Sequence, residues 1–143
     1  MPIWLNDTTT EQLNARSEES MSDYLGIRFI EIGEDYLKAR MPVDHRTIQP
    51  MGLLHGGASV ALAETLGSVG ALLCVDANSK MVVGMEINAN HIRPVRTGYV
   101  VGEARPVHIG NSTHIWEIRI TNDKDKLVCI SRITLAVLDK EVS

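Results

Sequence analysis

Polar and apolar residues alternate with a period of two over most of this chain and lose that period over one central stretch. In residues 36–43, Leu37, Ala39, Met41 and Val43 share one face while Lys38, Arg40 and Pro42 take the other, which predicts a half-buried strand. A strand over 27–32 precedes it, and the turn Gly33-Glu34-Asp35 joins the two as a hairpin. Further on, Met81, Val83, Met85, Ile87 and Ala89 alternate with Gly84, Glu86, Asn88 and Asn90, a strand that stops near Pro94. Three more strands are predicted over 99–109, 113–121 and 127–138, separated by Gly110-Asn111-Ser112 and by the charged turn 122–126. At the front, Thr8-Thr9-Thr10-Glu11 predicts a capping box that opens a short helix to about Ser20.

The stretch without a period of two, residues 53–75, contains no Lys, Arg, Asp or Pro. Its length alone would suit a membrane span. Four glycines, two serines, Thr65, His55 and the carboxylate of Glu64 dilute it, and no basic flank or aromatic belt frames it. A helix over 55–73 that is apolar nearly all round belongs in a protein core. Hairpin-length connections among the strands imply an antiparallel sheet, whose hydrophobic face needs a cover, and this helix is the element apolar enough to supply it. The expected class is therefore α+β, with an antiparallel sheet of about six strands wrapped around one long central helix in a single domain over 1–143.

Composition narrows the function classes. The 143 residues are one domain's worth of chain, and 44% hydrophobic with 22% charged residues fits a folded globule. A net charge of −4 with 4% aromatic residues argues against nucleic acid, which needs clustered cations and stacking platforms. Cys74 and Cys129 sit at unmatched positions without a CxxC, and the first twenty residues lack the basic start and apolar run of an export signal. A reducing cytoplasm and no membrane are expected.

The chemistry-bearing candidates cluster around the start of the long helix. In Gln49-Pro50-Met51-Gly52-Leu53-Leu54-His55-Gly56-Gly57, first-turn amides and the helix dipole favour developing negative charge, and glycines let a ligand approach the main chain. Gln49 can orient a carbonyl or a water without titrating. His55 at a helix start reads equally as a base or as a cap. Glu64 is the sole carboxylate in the apolar helix, where a purely structural acid would need a partner that the local sequence lacks. Nine residues separate it from His55, about 900° of rotation and roughly 13.5 Å of rise, so the two side chains point to opposite faces. Cooperation between them requires two antiparallel copies of the helix across a two-fold axis, which Gly67, Ser68, Gly70 and Ala71 would allow to pack closely. No metal-ligand spacing, phosphate loop or serine-hydrolase elbow occurs, so neither metal nor cofactor is expected. Cationic residues His91, Arg93, Arg96, Arg105 and His108, with Asn90 and Asn111, form a rim suited either to a small polyphosphate or to plain solvent, with a phosphate expected near Arg93 and Gly110.

The segment QPMGLLHGGASVALAETLGSVGALL, with MPVDHRT before it and VVGMEINANHIRP after it, resembles the hotdog-fold acyl-CoA thioesterases. Its nearest branch holds the bacterial 1,4-dihydroxy-2-naphthoyl-CoA hydrolases, which act in menaquinone biosynthesis, and the enterobactin proofreading thioesterases. The resemblance implies hydrolysis of an aromatic acyl thioester of coenzyme A, or of a misacylated carrier protein, by a cytoplasmic homodimer that pairs into a tetramer. It implies Glu64 as nucleophile or general base, the Gly56 amide polarising the thioester carbonyl, Gln49 and His55 of the opposite subunit orienting it, and Ser68 holding water or substrate. Substrate contacts would come from Met51, Gly57, Val69, Val82, Asn90, His91, Arg93, His108 and Gly110. Met51 stands where relatives carry Phe, which bears on the acyl pocket. Two other classes compete. A hotdog hydratase would use an Asp/His pair, which the lone Glu64 does not supply, and a non-catalytic acyl-CoA sensor would need a DNA-reading module that the short N-terminal segment cannot hold.

Overall fold

The computed structural model describes residues 1–141, and among them the elements run α1 (Thr10–Arg16), α2 (Met21–Tyr24), β1 (Arg28–Ile32), β2 (Leu37–Pro42), α3 (Gly56–Leu73), β3 (Lys80–His91), β4 (Tyr99–Ile109), β5 (Thr113–Thr121) and β6 (Leu127–Asp139). The strands make one sheet in the order β1-β2-β4-β5-β6-β3, and every neighbouring pair is antiparallel. Turns close the β1/β2, β4/β5 and β5/β6 hairpins, while the excursion through α3 carries the chain to the far side of the sheet. There β3 pairs with β6 and leaves its other edge open.

α3 lies across one face of this sheet, as an apolar element must. Leu62, Ala63 and Leu66 are fully buried against Trp116, Ile118, Ile133 and Leu135. Small residues set the approach: a methyl group on Gly67 would sit 2.5 Å from Ile133 Cγ2, and one on Gly70 would sit 2.8 Å from Trp116 Cζ3. The N-terminal segment closes the other end of the helix. Trp4 stacks on Trp116 with ring centroids 6.1 Å apart and donates its indole N–H to the Gly33 carbonyl at 2.6 Å. The Asn6 side-chain amide donates to the carbonyls of Val75 at 2.7 Å and Leu72 at 3.2 Å, and the Leu5 N–H donates to Leu73 at 2.8 Å, satisfying helix-end acceptors.

Two local predictions are corrected. The capping box sits one residue later, with Thr9 as N-cap and Gln12 as its reciprocal partner, because α1 starts at Thr10. The helix also stops at Arg16: Glu19 takes φ +64, a left-handed residue that breaks the run, and Ser20 caps the separate α2.

The third correction concerns β3. Its ladder with β6 shifts register between Gly84 and Glu86, so that Met85 is an extra residue, a β-bulge. The bulge reverses which side chains face α3. Gly84 pairs with fully buried Leu135, and beyond the bulge Ile87 pairs with Ile133, Ala89 with Ser131 and His91 with Cys129, all buried partners. Residues 81, 83, 85, 87 and 89 therefore do not share one face as alternation predicts. Met81 and Val83 turn outward before the bulge, and Glu86, Asn88 and Asn90 turn outward after it.

Candidate active site

The loop before α3 is fixed by its own hydrogen bonds. Buried Thr47 donates its hydroxyl to the Pro42 carbonyl at 2.7 Å, and its own carbonyl accepts the His55 N–H at 2.8 Å. The Leu54 N–H reaches the Val95 carbonyl at 2.8 Å, and a bridge joins Ile48 to Leu54 around Gly52, whose φ of +80 a side chain would oppose. Asp44 anchors the loop's start through Arg46, whose guanidinium holds the carboxyl down to about 2.

These contacts sort the first-turn amides of α3. His55 is the N-cap: its Nδ1 accepts the Gly57 N–H at 2.7 Å, and its carbonyl accepts from Ala58 at 3.0 Å and Ser59 at 3.3 Å. Among the described residues the Gly56 N–H alone of these has no partner. It faces an open cleft of about 310 Å³ lined by Gln49, Gly56, Ser59, His91, Arg93 and Pro94 among others. Gln49 Oε1 accepts the Met51 N–H at 2.5 Å, which locks the carbonyl of its amide into the loop and leaves the NH₂ as a donor. His91 reaches the same place from β3, its Nε2 lying 2.9 Å from where a Gly56 methyl would be. A bare amide at the positive end of an 18-residue helix, flanked by an amide donor and an imidazole, is suited to a carbonyl oxygen that gains charge.

His55 and Glu64 do not meet. The His55 ring lines a shallow groove with Met21, Leu25 and Ala61 on the α2 side, whereas Glu64 turns toward β3, with Oε2 over Gly84. Glu64 is half-buried where the sequence reading expects a buried acid, because it lies beside an open sheet edge; among the described residues it has no hydrogen-bond or ion-pair partner. Ser68 is half-buried one turn further along α3. Val69 and Val82 pack partly buried against the core, Gly57 abuts the His55 ring, and Met51 is 77% exposed outside the cleft.

The predicted cationic rim divides. His91 and Arg93 line the cleft, the latter also donating to the Leu127 carbonyl at 2.8 Å. His108 and Gly110 belong to the β4/β5 turn, six residues up β4 from the row that leads through Ile120 and Cys129 to His91, roughly 20 Å away at ~3.3 Å per residue. Asn90 faces the outer surface of the sheet, beside Arg132 and Glu117. Arg105 is engaged elsewhere: it pairs with Glu103 at 2.8 Å and Asp35 at 3.0 Å and stacks over Tyr36. Ser59, buried in the cleft wall, and Gly84 were not among the predicted site residues; a glycine inside a strand was the available signal for the second. Among the described residues no group of three His, Cys, Asp or Glu side chains could hold a metal ion.

Residues 51–129 match the family model described as the thioesterase superfamily. The chain belongs to the thioesterase superfamily. The sheet wrapped on α3 is the hotdog arrangement of that superfamily, and the protein is a thioester hydrolase. It is 53% identical to the 1,4-dihydroxy-2-naphthoyl-CoA hydrolase of Escherichia coli over 136 residues, 95% of this chain and 99% of that protein. It is 48% identical to the proofreading thioesterase EntH of Cronobacter sakazakii, over 95% and 98% of the two chains. The crystal structure of a mutant of thioesterase PA1618 from Pseudomonas aeruginosa superposes with a TM-score of 0.95 at 50% identity, covering 96% of this chain and 99% of that one.

Proposed function

We propose that this thioesterase hydrolyses aromatic acyl thioesters of coenzyme A, with Glu64 of one protomer acting at the Gly56 amide of a second. The observation that carries the reading is the unpartnered Gly56 N–H, which shares its cleft with the Gln49 donor while the only carboxylate of α3 lies eight residues away, roughly 12 Å along the helix, turned toward β3. A single chain keeps acid and amide apart, so a copy related by a two-fold axis supplies the other half. The open edge of β3, with Met81, Val83 and Met85 exposed, is the place for that copy to dock, and pairs of dimers complete a tetramer.

In this arrangement the thioester oxygen accepts from the Gly56 N–H and the Gln49 NH₂, while His55 acts chiefly by capping the helix that presents the amide. Glu64 either attacks the acyl carbon, expelling the thiolate and forming an anhydride that water cleaves, or removes a proton from water that attacks directly; Ser68 holds that water. His91 and Arg93 at the cleft mouth suit the phosphates of coenzyme A. Single turnover in oxygen-18 water tests the covalent route: unlabelled first-turnover acid with the label in Glu64 marks an anhydride cleaved at the Glu64 carbon, whereas direct attack by water always labels the acid.

Free-thiol release from benzoyl-CoA tests the whole reading, wild type beside Glu64→Ala. Loss of at least roughly 100-fold is expected on removing the reacting carboxylate, and equal rates refute the assignment. The resemblance to the proofreading thioesterases favours a second substrate, an acyl group on a carrier-protein arm. Parallel assays with benzoyl-loaded carrier protein decide which thioester has the higher kcat/KM.

A further inference from the structure

Glycine costs a β-strand both entropy and packing, so one inside a strand calls for a reason. Gly84 of β3 is not in the left-handed region of φ, so its backbone does not require it. Nor does a close backbone: a methyl group there would meet Glu64 Oε2 at 2.5 Å, then only Glu64 Cδ at 3.7 Å and Ile133 Cδ1 at 3.8 Å. The single atom that excludes a side chain at this position is the carboxylate oxygen of the acid. The bulge at Met85 keeps Gly84 facing α3 while the following residues change phase, and bulges commonly re-aim residues beside active sites.

We infer that Gly84 is a positioning residue for the reaction: its missing side chain forms the seat in which the Glu64 carboxylate rests, and the Met85 bulge holds that seat in register. The inference rests on the reading of Glu64 as the reacting acid. It adds that the strand, and not the helix alone, fixes where the carboxylate stands. An alanine at 84 must push Oε2 off by about 1 Å to restore ordinary contact, and a displacement of that size at a reacting group costs on the order of 100-fold in rate.

The test is a cycle on the full-length protein with benzoyl-CoA. Gly84→Ala should lower kcat roughly 100-fold with KM changed by less than about threefold. In a Glu64→Ala background the same substitution should leave the residual rate unchanged, because its effect passes through the carboxylate. Glu64→Asp, harmful alone, should raise kcat in the Gly84→Ala background, where the shorter acid clears the methyl. Gly84→Ala activity close to wild type beside an inactive Glu64→Ala overturns the inference and leaves the reading of Glu64 intact; a fully active Glu64→Ala overturns that reading itself. If Gly84→Ala fails to fold, melting of Gly84→Ala/Glu64→Ala decides. Restored stability supports the clash with the acid, and unrelieved instability overturns it.

Discussion

Alanine at position 56 separates a glycine kept for a ligand from glycines kept for packing. The new methyl would lie 2.9 Å from His91 Nε2, 3.1 Å from Cε1 and 3.5 Å from Cδ2. Ordinary contact requires at least about 3.5 Å, so the imidazole must retreat by roughly half an ångström. It can do so, because His91 ends an edge strand and is exposed. Alanine also favours helix by up to ~1 kcal/mol over glycine, so the melting temperature should hold or rise by about 0–3 °C. Catalysis should respond differently. The methyl covers the approach to the unpartnered amide and displaces a thioester oxygen by about 1 Å, for which a loss on the order of 100-fold in kcat/KM is expected. Thiol release from benzoyl-CoA at varied concentration, with thermal melting of the same preparation, gives both numbers. A variant that melts like wild type and turns over within about threefold of it would show that the Gly56 amide is not where the carbonyl binds.

The same substitution at Gly70 should give the converse. Trp116 is fully buried, backed by Trp4, and 2.8 Å from the new methyl, so overpacking of about 1–3 kcal/mol outweighs the helix gain and melting should fall by roughly 3–6 °C with kcat per folded molecule retained; a rise in melting temperature would refute the tight contact. His114 sets a pH dependence. Burial first and His108 second push its imidazole below the usual histidine range, and its Nδ1 accepts the Trp116 indole N–H at 3.3 Å. Below about pH 6.5 the unfolded chain takes up a proton that the folded chain refuses, so stability is complete above that pH and declines as pH drops toward the folded value. Melting measured at pH 7.5 and 5.5 should show a smaller drop for His114→Gln, which keeps an acceptor for the indole; an equal drop would refute the assignment.

Much of this architecture can be read directly from residue order. Strands 99–109 and 113–121 match their predicted limits, and the apolar run gives α3 to within a residue, because burial on one or both faces is written in side-chain type. What escapes is single-residue phase. Nothing in VVGMEINANH announces that Met85 is supernumerary, since either phase puts apolar residues on the helix side, and the resulting error places Met81 and Val83 on the wrong face. Spatial grouping escapes as well: Arg105 and Arg93 look alike in sequence, yet one is tied down by Asp35, seventy residues distant, and the other lines the cleft. The separation of His55 from Glu64 was legible because helix geometry is rigid.

Asn6 and Leu5 finish the final turn of a helix whose last residue is Leu73. During synthesis, then, residues 5 and 6 wait for more than sixty further residues before they find their acceptors, and the central helix remains unfinished until that encounter.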